Sequence, residues 1–375
     1  MKISKKDALV WFRFFAELQE NGEELMPRQQ EIAYAALRQI ERRVEHDNEE
    51  LLQKIPGLKT LDGRTFYVGR DEQFPRGCLS CLKGTGLSAI RRSNRCNAAC
   101  RFCYDYGRLD LQPPVGEDLW EIGGCRYALE DMPLLFSAGN RPSGVSYVYL
   151  EPFTEIEKYY GMIRLFSEQG IHQHLYTNGM LANEENLKAL GESGLNELRF
   201  NLGASGCSDR VIGNMATAKK YIPHVGIETP MTPEFYTQFL KKKGAIFSAG
   251  AEFMNCAELH LNENNIDNYA GENLYMYRLG YVSPVWSRSL TLQLMKQAAE
   301  EKWPLTVHDC SNRTKFARDI NLRAHEGGWF GASSWGMEFD QIPYAAFLPV
   351  LEDERFSFLE EEELPIGYRP GDIVL

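Results

Sequence analysis

Apolar and polar positions along the chain fall into three zones with different periods. From residue 1 to about 60, apolar residues recur at helical spacing. Leu9, Val10, Phe12, Phe15 and Leu18 form one run, and Ile32, Ala36, Leu37, Ile40 and Val44 form a second that opens at Pro27. Both runs end in polar or Gly-containing sequence, so the zone reads as an all-helical cap. From about 86 to 310, short apolar runs alternate with helical patterns. "GLSAIRRS", "GVSYVYLE", "HQHLYTNG", "NELRFNL", "HVGIETP" and "AEFMNCAEL" are strand candidates, and segments such as "TEIEKYYGMIRLFSEQG", "NEENLKALGESG" and "PEFYTQFLKKKG" separate several of them. Strand then helix, repeated about six times, implies βαβ units and a parallel sheet, either open and doubly wound or closed towards a barrel. Beyond 310 the pattern weakens to one helix near "NRTKFARDINLRA", a Gly- and aromatic-rich loop "GGWFGASSWG" and a solvated acidic run, Glu360 to Glu363. The expected division is 1–85 for the helical cap and a C-x2-C segment, 86–310 for an α/β core and 311–375 for a C-terminal extension.

Composition narrows the classes. With 375 residues, 43% of them hydrophobic, the chain can bury one large core with appendages or two domains. A formal net charge of -11 argues against general binding to nucleic acid or acidic membranes. No run approaches the roughly 18 apolar residues of a membrane span, and "MKISKKDALVWFRFFAELQE" lacks a signal-peptide cleavage pattern. These features lead to the expectation of a soluble, cytoplasmic protein. No internal repeat and no Gly-rich phosphate loop is visible.

The nine cysteines make an odd number spread through helical and strand sequence, unlike a small secreted disulfide framework. Cys125, Cys207 and Cys256 stand alone and read as small buried apolar residues. In "RCNAACRFCYDY", by contrast, Cys96, Cys100 and Cys103 crowd into eight residues just after the first candidate strand. That is the C-terminal end of a strand, where parallel α/β folds place their chemistry. Three thiolates at this spacing wrap one face of a 4Fe-4S cube and leave one iron without a protein ligand. The alternative is a zinc site completed by a distant His or Cys.

C-x3-C-x2-C with an aromatic residue, Phe102, before the last cysteine resembles the motif of the radical S-adenosylmethionine (radical SAM) superfamily, and the likeness continues along residues 86 to 310. "YLEPF" stands where family members carry a Gly-Gly-Glu-like motif, lacking the glycines but keeping a carboxylate, Glu151. Thr177, Asn178 and Gly179 match a Thr-Asn-Gly strand end, "LNELRFNLGA" matches the fourth strand and "IETPMTP" the fifth. The resemblance implies a partial (β/α)6 TIM-like barrel whose strands end near Arg92, Leu150, Thr177, Leu202, Thr229 and Leu261. It implies a 4Fe-4S cluster on Cys96, Cys100 and Cys103, with S-adenosylmethionine at the free iron. Glu151 would hold the cofactor's amino group, and Arg199 and Asn201 would meet its carboxylate or ribose. Asn178, Glu228 and Thr229 lie at the cofactor-facing strand ends, and the backbone at Phe102 and Tyr104 would contact the adenine. An electron from a donor such as flavodoxin or ferredoxin would then yield a 5'-deoxyadenosyl radical that abstracts hydrogen from a small metabolite or peptide.

A narrower likeness lies in "RGCLSCLKG", "FMNCAELHLNENN" and "TVHDCSNRTKFARDINLR", which resemble radical SAM proteins described as similar to pyruvate-formate-lyase activating enzymes. It draws attention to Cys78, Cys81 and Cys310. With His308 they would form a zinc site or carry a second cluster; otherwise Cys78 and Cys81 are a structural thiol pair. Glu258, His260 and Asn262 alternate along "ELHLN" and, if the sixth strand extends that far, face one way as substrate-binding or catalytic candidates. A buried hydrogen-bonded network is the competing reading. Arg91, Arg92, Arg95 and Arg101 offset cluster charge, and His172 and His174 read as structural. Three other functions fit less well. A nonenzymatic metalloprotein has no need of Glu151, Asn178 and Arg199 at successive strand ends. RNA modification conflicts with the acidity. Transfer of an aminocarboxypropyl or methyl group stays within the family.

Overall fold

The computed structural model describes residues 3–61, 63–82, 87–92, 95–105, 118–122, 125–133, 142–316 and 341–356. The two N-terminal helices form as the periodicity predicts: α1 spans Lys5–Glu20 and α2 Pro27–Leu52. Ser4 caps α1 by accepting from the Asp7 amide while Asp7 returns the contact to the Ser4 backbone. Pro27 opens α2, where a missing N–H costs nothing. Next come β1 (Lys59–Leu61), β2 (Thr65–Val68), α3 (Arg76–Leu82), β3 (Leu87–Arg91), β4 (Leu119–Ile122), β5 (Cys125–Ala128) and β6 (Gly144–Tyr147). The central stretch alternates α4 (Tyr159–Glu168), β7 (His172–Thr177), α5 (Glu184–Glu192), β8 (Glu197–Phe200), α6 (Asp209–Ala218), β9 (His224–Pro230), α7 (Pro233–Ser248) and β10 (Phe253–Ala257). A hairpin of β11 (Leu274–Tyr277) and β12 (Tyr281–Pro284) precedes α8 (Trp286–Glu300) and β13 (Thr306–Cys310), and α9 (Leu348–Glu352) comes last.

Among the described residues these strands build an eleven-stranded sheet in the order β1-β2-β13-β10-β9-β8-β7-β6-β3-β4-β5. The stretch from β13 to β3 is parallel throughout. β2 and β4 border it antiparallel. All six expected strands are present, and "PLTV" leads into a further parallel strand, β13. Neither antiparallel margin was expected from the sequence, because β1, β2, β4 and β5 are three or four residues long and too short to show a period.

Two strands stop three or more residues earlier than the sequence suggests. β6 ends at Tyr147 rather than Leu150, because Tyr149 and Leu150 take left-handed backbone conformations, with φ of 73° and 56°. β10 ends at Ala257 rather than near Leu261. Beyond it the Leu259 amide donates to Ser287 Oγ at 2.8 Å, and Leu261 bridges antiparallel to Val282.

Alternation along the parallel strands sorts residues to two faces. Val145, Leu175, Leu198, Ile227, Met254 and Val307 enter the main hydrophobic core, which includes residues of α4 to α8. The opposite face carries Ser146, His174, Arg199, Asn255 and His308, all buried. Helix α3 lies on that polar face. A Cβ on its Gly77 would fall 2.4 Å from His174 Nδ1 and 2.7 Å from Arg199 Nη2, so only glycine fits. Ser80 meets Gly144 on β6, while Phe74, just before α3, packs on His308 of β13 with ring centroids 4.8 Å apart. In a flat sheet, β6 and β13 would stand about 24 Å apart at ~4.8 Å per strand. The six residues from Phe74 to Ser80 rise only about 9 Å as helix. The sheet therefore curls around α3.

A second core joins parts of all three expected zones. It includes Phe12 and Phe15 of α1, Ile40 of α2, Leu259, Met276 of β11 and Phe347 near the described C-terminal end. Residues 312–316 are helical. The rest of the helix expected near "NRTKFARDINLRA", the loop "GGWFGASSWG" and Glu360 to Glu363 lie outside the described residues. No described helix is long and apolar enough to cross a membrane.

Candidate functional site

The cysteine loop, residues 95–105, is laid across the C-terminal ends of the parallel strands. The Glu151 amide, beyond β6, donates to Arg95 O at 3.1 Å. Asn178, at the end of β7, donates through Nδ2 to Asn97 Oδ1 at 2.7 Å. Phe102 lies beside Gly203, just past β8. Cys96, Cys100 and Cys103 are half-buried and unbridged, and the Cys103 amide closes a turn onto Cys100 O at 3.0 Å. Burial, reinforced by the neighbouring Cys103 and Cys96, pushes the Cys100 thiol up to about 12. Three such soft donors become thiolates together only beside a cationic centre, which suits iron or zinc. Among the described residues, the only three metal-ligating side chains with all ligand atoms within 4.8 Å are His172, His174 and Glu197.

Glu151 stands at the predicted strand end, but the protein itself engages both carboxylate oxygens. Thr177 Oγ1 and the Phe153 amide donate to Oε1 at 2.7 and 3.1 Å, and the Asn178 amide donates to Oε2 at 2.6 Å. Its exposure is 0%, and burial raises its pKa to about 7 against the pull of those donors. Glu151 is a bracket between the ends of β6 and β7. The glycines absent from "YLEPF" are replaced by strain, since Tyr149 and Leu150 keep positive φ despite their side chains. Gly179 of the Thr-Asn-Gly motif is required as glycine: its φ is 72°, and a Cβ would lie 2.7 Å from Phe200 and Val211.

Arg199 is also committed. Its exposure is 2%. Nε donates to Glu197 Oε1 at 2.5 Å, and Nη1 donates to Glu228 Oε2 at 2.7 Å and to Tyr176 Oη at 3.2 Å. Burial opposes the charge, but the surrounding Cys78, Glu197, Tyr176 and Glu228 hold it protonated. The guanidinium is thus held among two carboxylates and a phenol. Asn255 Nδ2 also donates to Glu228, at 2.5 Å. Asn201 Oδ1 accepts from the Ala204 amide at 3.2 Å and from Thr229 Oγ1 at 2.8 Å, holding the turn after β8 against β9. His172, His174 and Glu197 cluster like metal ligands, yet Arg199 already supplies the cation beside Glu197.

The three residues of "ELHLN" do not share a strand face, since β10 has ended. Glu258 accepts from Tyr275 Oη and, at 2.7 Å, from the Asn312 amide, and burial raises its pKa to about 7. His260 packs against Tyr281 with ring centroids 5.6 Å apart. Glu258 and His260 are both buried, and Glu258 belongs to a hydrogen-bonded network. Asn262 faces the cysteine loop.

Cys78 is buried with Tyr67, Phe74 and Leu82. Burial pushes its thiol well above the ordinary range, and the charges of Arg199, Glu228 and Cys310 also bear on it. His308 is 1% exposed, and burial followed by Arg199 lowers its pKa to about 3. Cys310, half-buried like Cys81, ends β13.

A cleft of about 270 Å³ borders the cysteine loop, lined by Ala99, Cys100, Phe102, Gly203, Thr232 and Tyr269. Asn262 was singled out from the sequence, but Asn264, Asn265 and Asn268, which also face the cysteine loop, were not.

The chain is 30% identical over 203 residues to a Methanocaldococcus jannaschii protein named "Putative glycyl-radical enzyme activating enzyme MJ0021", covering 52% of each sequence. It thus resembles an activating enzyme of the radical SAM type, as its motifs imply, and spans about half the length of that relative. No family profile matches the chain. Among solved structures, Streptococcus suis SuiB gives a TM-score of 0.42 at 14% identity, covering 82% of this chain and 65% of SuiB. SuiB bound to its precursor peptide SuiA gives 0.41 at 13% identity, covering 82% and 66%.

Proposed function

We propose that this protein is a radical SAM enzyme whose Cys96, Cys100 and Cys103 hold a 4Fe-4S cluster over the C-terminal ends of a partial (β/α)6 barrel. One observation carries the reading: the three half-buried thiols sit on a single loop fastened to successive strand ends through Arg95 and Asn97. The curl of the sheet around α3 supports the barrel, and the activating-enzyme relative supports the chemistry. A cluster held by Cys96, Cys100 and Cys103 would supply one-electron reductive cleavage of S-adenosylmethionine, the chemistry that would start hydrogen abstraction from a substrate.

The chain's own residues bind and orient. The cysteine loop presents the thiolates. The cleft beside Phe102, Gly203 and Thr232 is placed to receive the nucleoside, with Asn201 and Thr229 fixing its wall. Glu151 and Asn178 hold the loop at the height of the strand ends. The name of the relative favours a polypeptide substrate, a glycyl-radical enzyme, over a small metabolite. It likewise favours hydrogen abstraction over group transfer. A flavodoxin or ferredoxin would supply the electron.

The test is anaerobic reconstitution with iron and sulfide. About four of each per chain, with a reduced-cluster electron paramagnetic resonance signal, is expected of the wild type. The Cys96→Ala, Cys100→Ala, Cys103→Ala variant should lose both. If it kept the same iron content and signal, the assignment would be wrong.

A further inference from the structure

Four asparagines of the segment after β10 turn their side-chain amides onto the backbone of the cysteine loop. Asn262 Nδ2 and Asn264 Nδ2 both donate to Tyr104 O, at 3.2 and 2.9 Å. Asn265 Nδ2 donates to Phe102 O at 3.1 Å, and Asn268 Nδ2 to Arg101 O at 2.9 Å. Arg101 answers with Nε on Asn268 O at 2.8 Å.

The amide orientations of two of them are fixed by their other ends. Asn262 Oδ1 accepts from the Asn264 amide at 3.1 Å, and Asn265 Oδ1 accepts from the Asn262 amide at 2.9 Å. Flipping either side chain would set oxygen against oxygen on one side and N–H against N–H on the other. Each is a two-ended connector between its own turn and the loop. In a planar trans peptide a carbonyl and the following N–H point in opposite directions. Holding the carbonyls of Arg101, Phe102 and Tyr104 therefore also directs the amides of Phe102, Cys103 and Asp105 away from the clamp.

We propose that Asn262, Asn264, Asn265 and Asn268 are positioning residues that set the cysteine loop in its cluster-binding conformation before metal arrives. The proposal rests on the reading of Cys96, Cys100 and Cys103 as cluster ligands. The physical need is conformational. Ordering each backbone residue costs about 1–2 kcal/mol, and three protonated thiols supply no attraction to offset it. Hydrogen bonds worth about 0.5–1.5 kcal/mol each offset that cost within the fold, so metal binding does not have to meet it alone.

Three variants test this. Asn264→Ala and Asn268→Ala change partly exposed and exposed positions and each remove one clamp bond. Asn265→Asp changes a buried position and sets a carboxylate oxygen against Phe102 O. In metal-free protein, hydrogen exchange at residues 101–105 should be roughly 2- to 12-fold faster per lost bond, with the amides of β7 to β9 unchanged. In reconstituted protein, iron loss to bipyridine should accelerate by a similar factor. Wild-type exchange and wild-type iron loss in all three variants, with a loaded wild type, would overturn the clamp and leave the cluster reading intact. A wild type that takes up no iron would overturn the cluster reading itself, and this proposal with it, whatever the variants do.

Discussion

Asn178 donates its side-chain amide to Asn97 Oδ1 at 2.7 Å, so the turn that ends β7 is fastened directly to the cysteine loop. The same residue accepts from the Met180 amide at 2.9 Å and donates its own amide to Glu151. Strand end, carboxylate bracket and loop therefore form one hydrogen-bonded unit. Asn178→Ala should lower folding stability by about 1–2 kcal/mol, because the Met180 amide and Asn97 each lose a partner. Urea unfolding of the metal-free protein reads the loss. In reconstituted protein the variant should also release iron faster than wild type.

Glu151 should matter to folding more than to cofactor affinity. Glu151→Ala strands Thr177 Oγ1 and the amides of Phe153 and Asn178 in a buried place, at a cost of about 3 kcal/mol or more. Glu151→Gln keeps one acceptor and should cost less. An Ala variant as stable as wild type would show that the bracket contributes little and would return Glu151 to the role suggested by its motif.

Stability should fall as pH rises through neutrality. Burial raises the pKa of Glu151 and of Glu258 from 4.5 to about 7. Between those values the folded protein keeps protons that the unfolded chain has released. The contribution of these groups is complete below about pH 4.5, is lost between there and about pH 7 at roughly 1.4 kcal/mol per pH unit per group, and then levels off. Melting temperature measured from pH 5 to 8 should decline in the wild type and decline less in Glu258→Gln. Equal slopes would place the titration elsewhere.

The parallel core was legible because each strand pairs a run of apolar residues facing the helices with a turn or helix signal, as in "HQHLYTNG" and "HVGIETP". The cysteine loop was legible because ligand spacing is local. Contacts between distant segments were not. Nothing local in "LEP" says that Glu151 is enclosed by Thr177 and Asn178, or in "LRF" that Arg199 is taken by Glu197 and Glu228. The asparagine clamp joins residues more than 150 positions apart, such as Asn264 and Tyr104. The mistaken extension of β10 had another source, since alternation in "ELHLN" continues by chance past the point where Leu261 turns to pair with Val282.

Arg199 is the charge on which the polar face balances. Arg199→Met leaves Glu197, 1% exposed, without its cation, and should cost about 3–5 kcal/mol. Adding Glu197→Gln removes the stranded charge and should restore part of the loss. Urea unfolding of the single and double variants gives the coupling directly. Additive effects would mean that His172, 3.5 Å from Glu197, and other neighbours compensate for the missing guanidinium.

Leu150 offers a test of stored strain. Its φ of 56° follows 73° at Tyr149, and two successive side-chain-bearing residues in the left-handed region are costly. Leu150 is half-buried and outside the main hydrophobic core, so replacing it loses modest packing. Glycine adopts this conformation freely. Leu150→Gly should therefore leave stability unchanged or raise it by up to about 1 kcal/mol, whereas Leu150→Val, β-branched and poorly suited to positive φ, should lower it by about 1 kcal/mol or more. Urea unfolding of the metal-free proteins decides the order. If the valine variant equalled or exceeded the glycine variant, the backbone before Glu151 would not be under the strain its torsion angles imply.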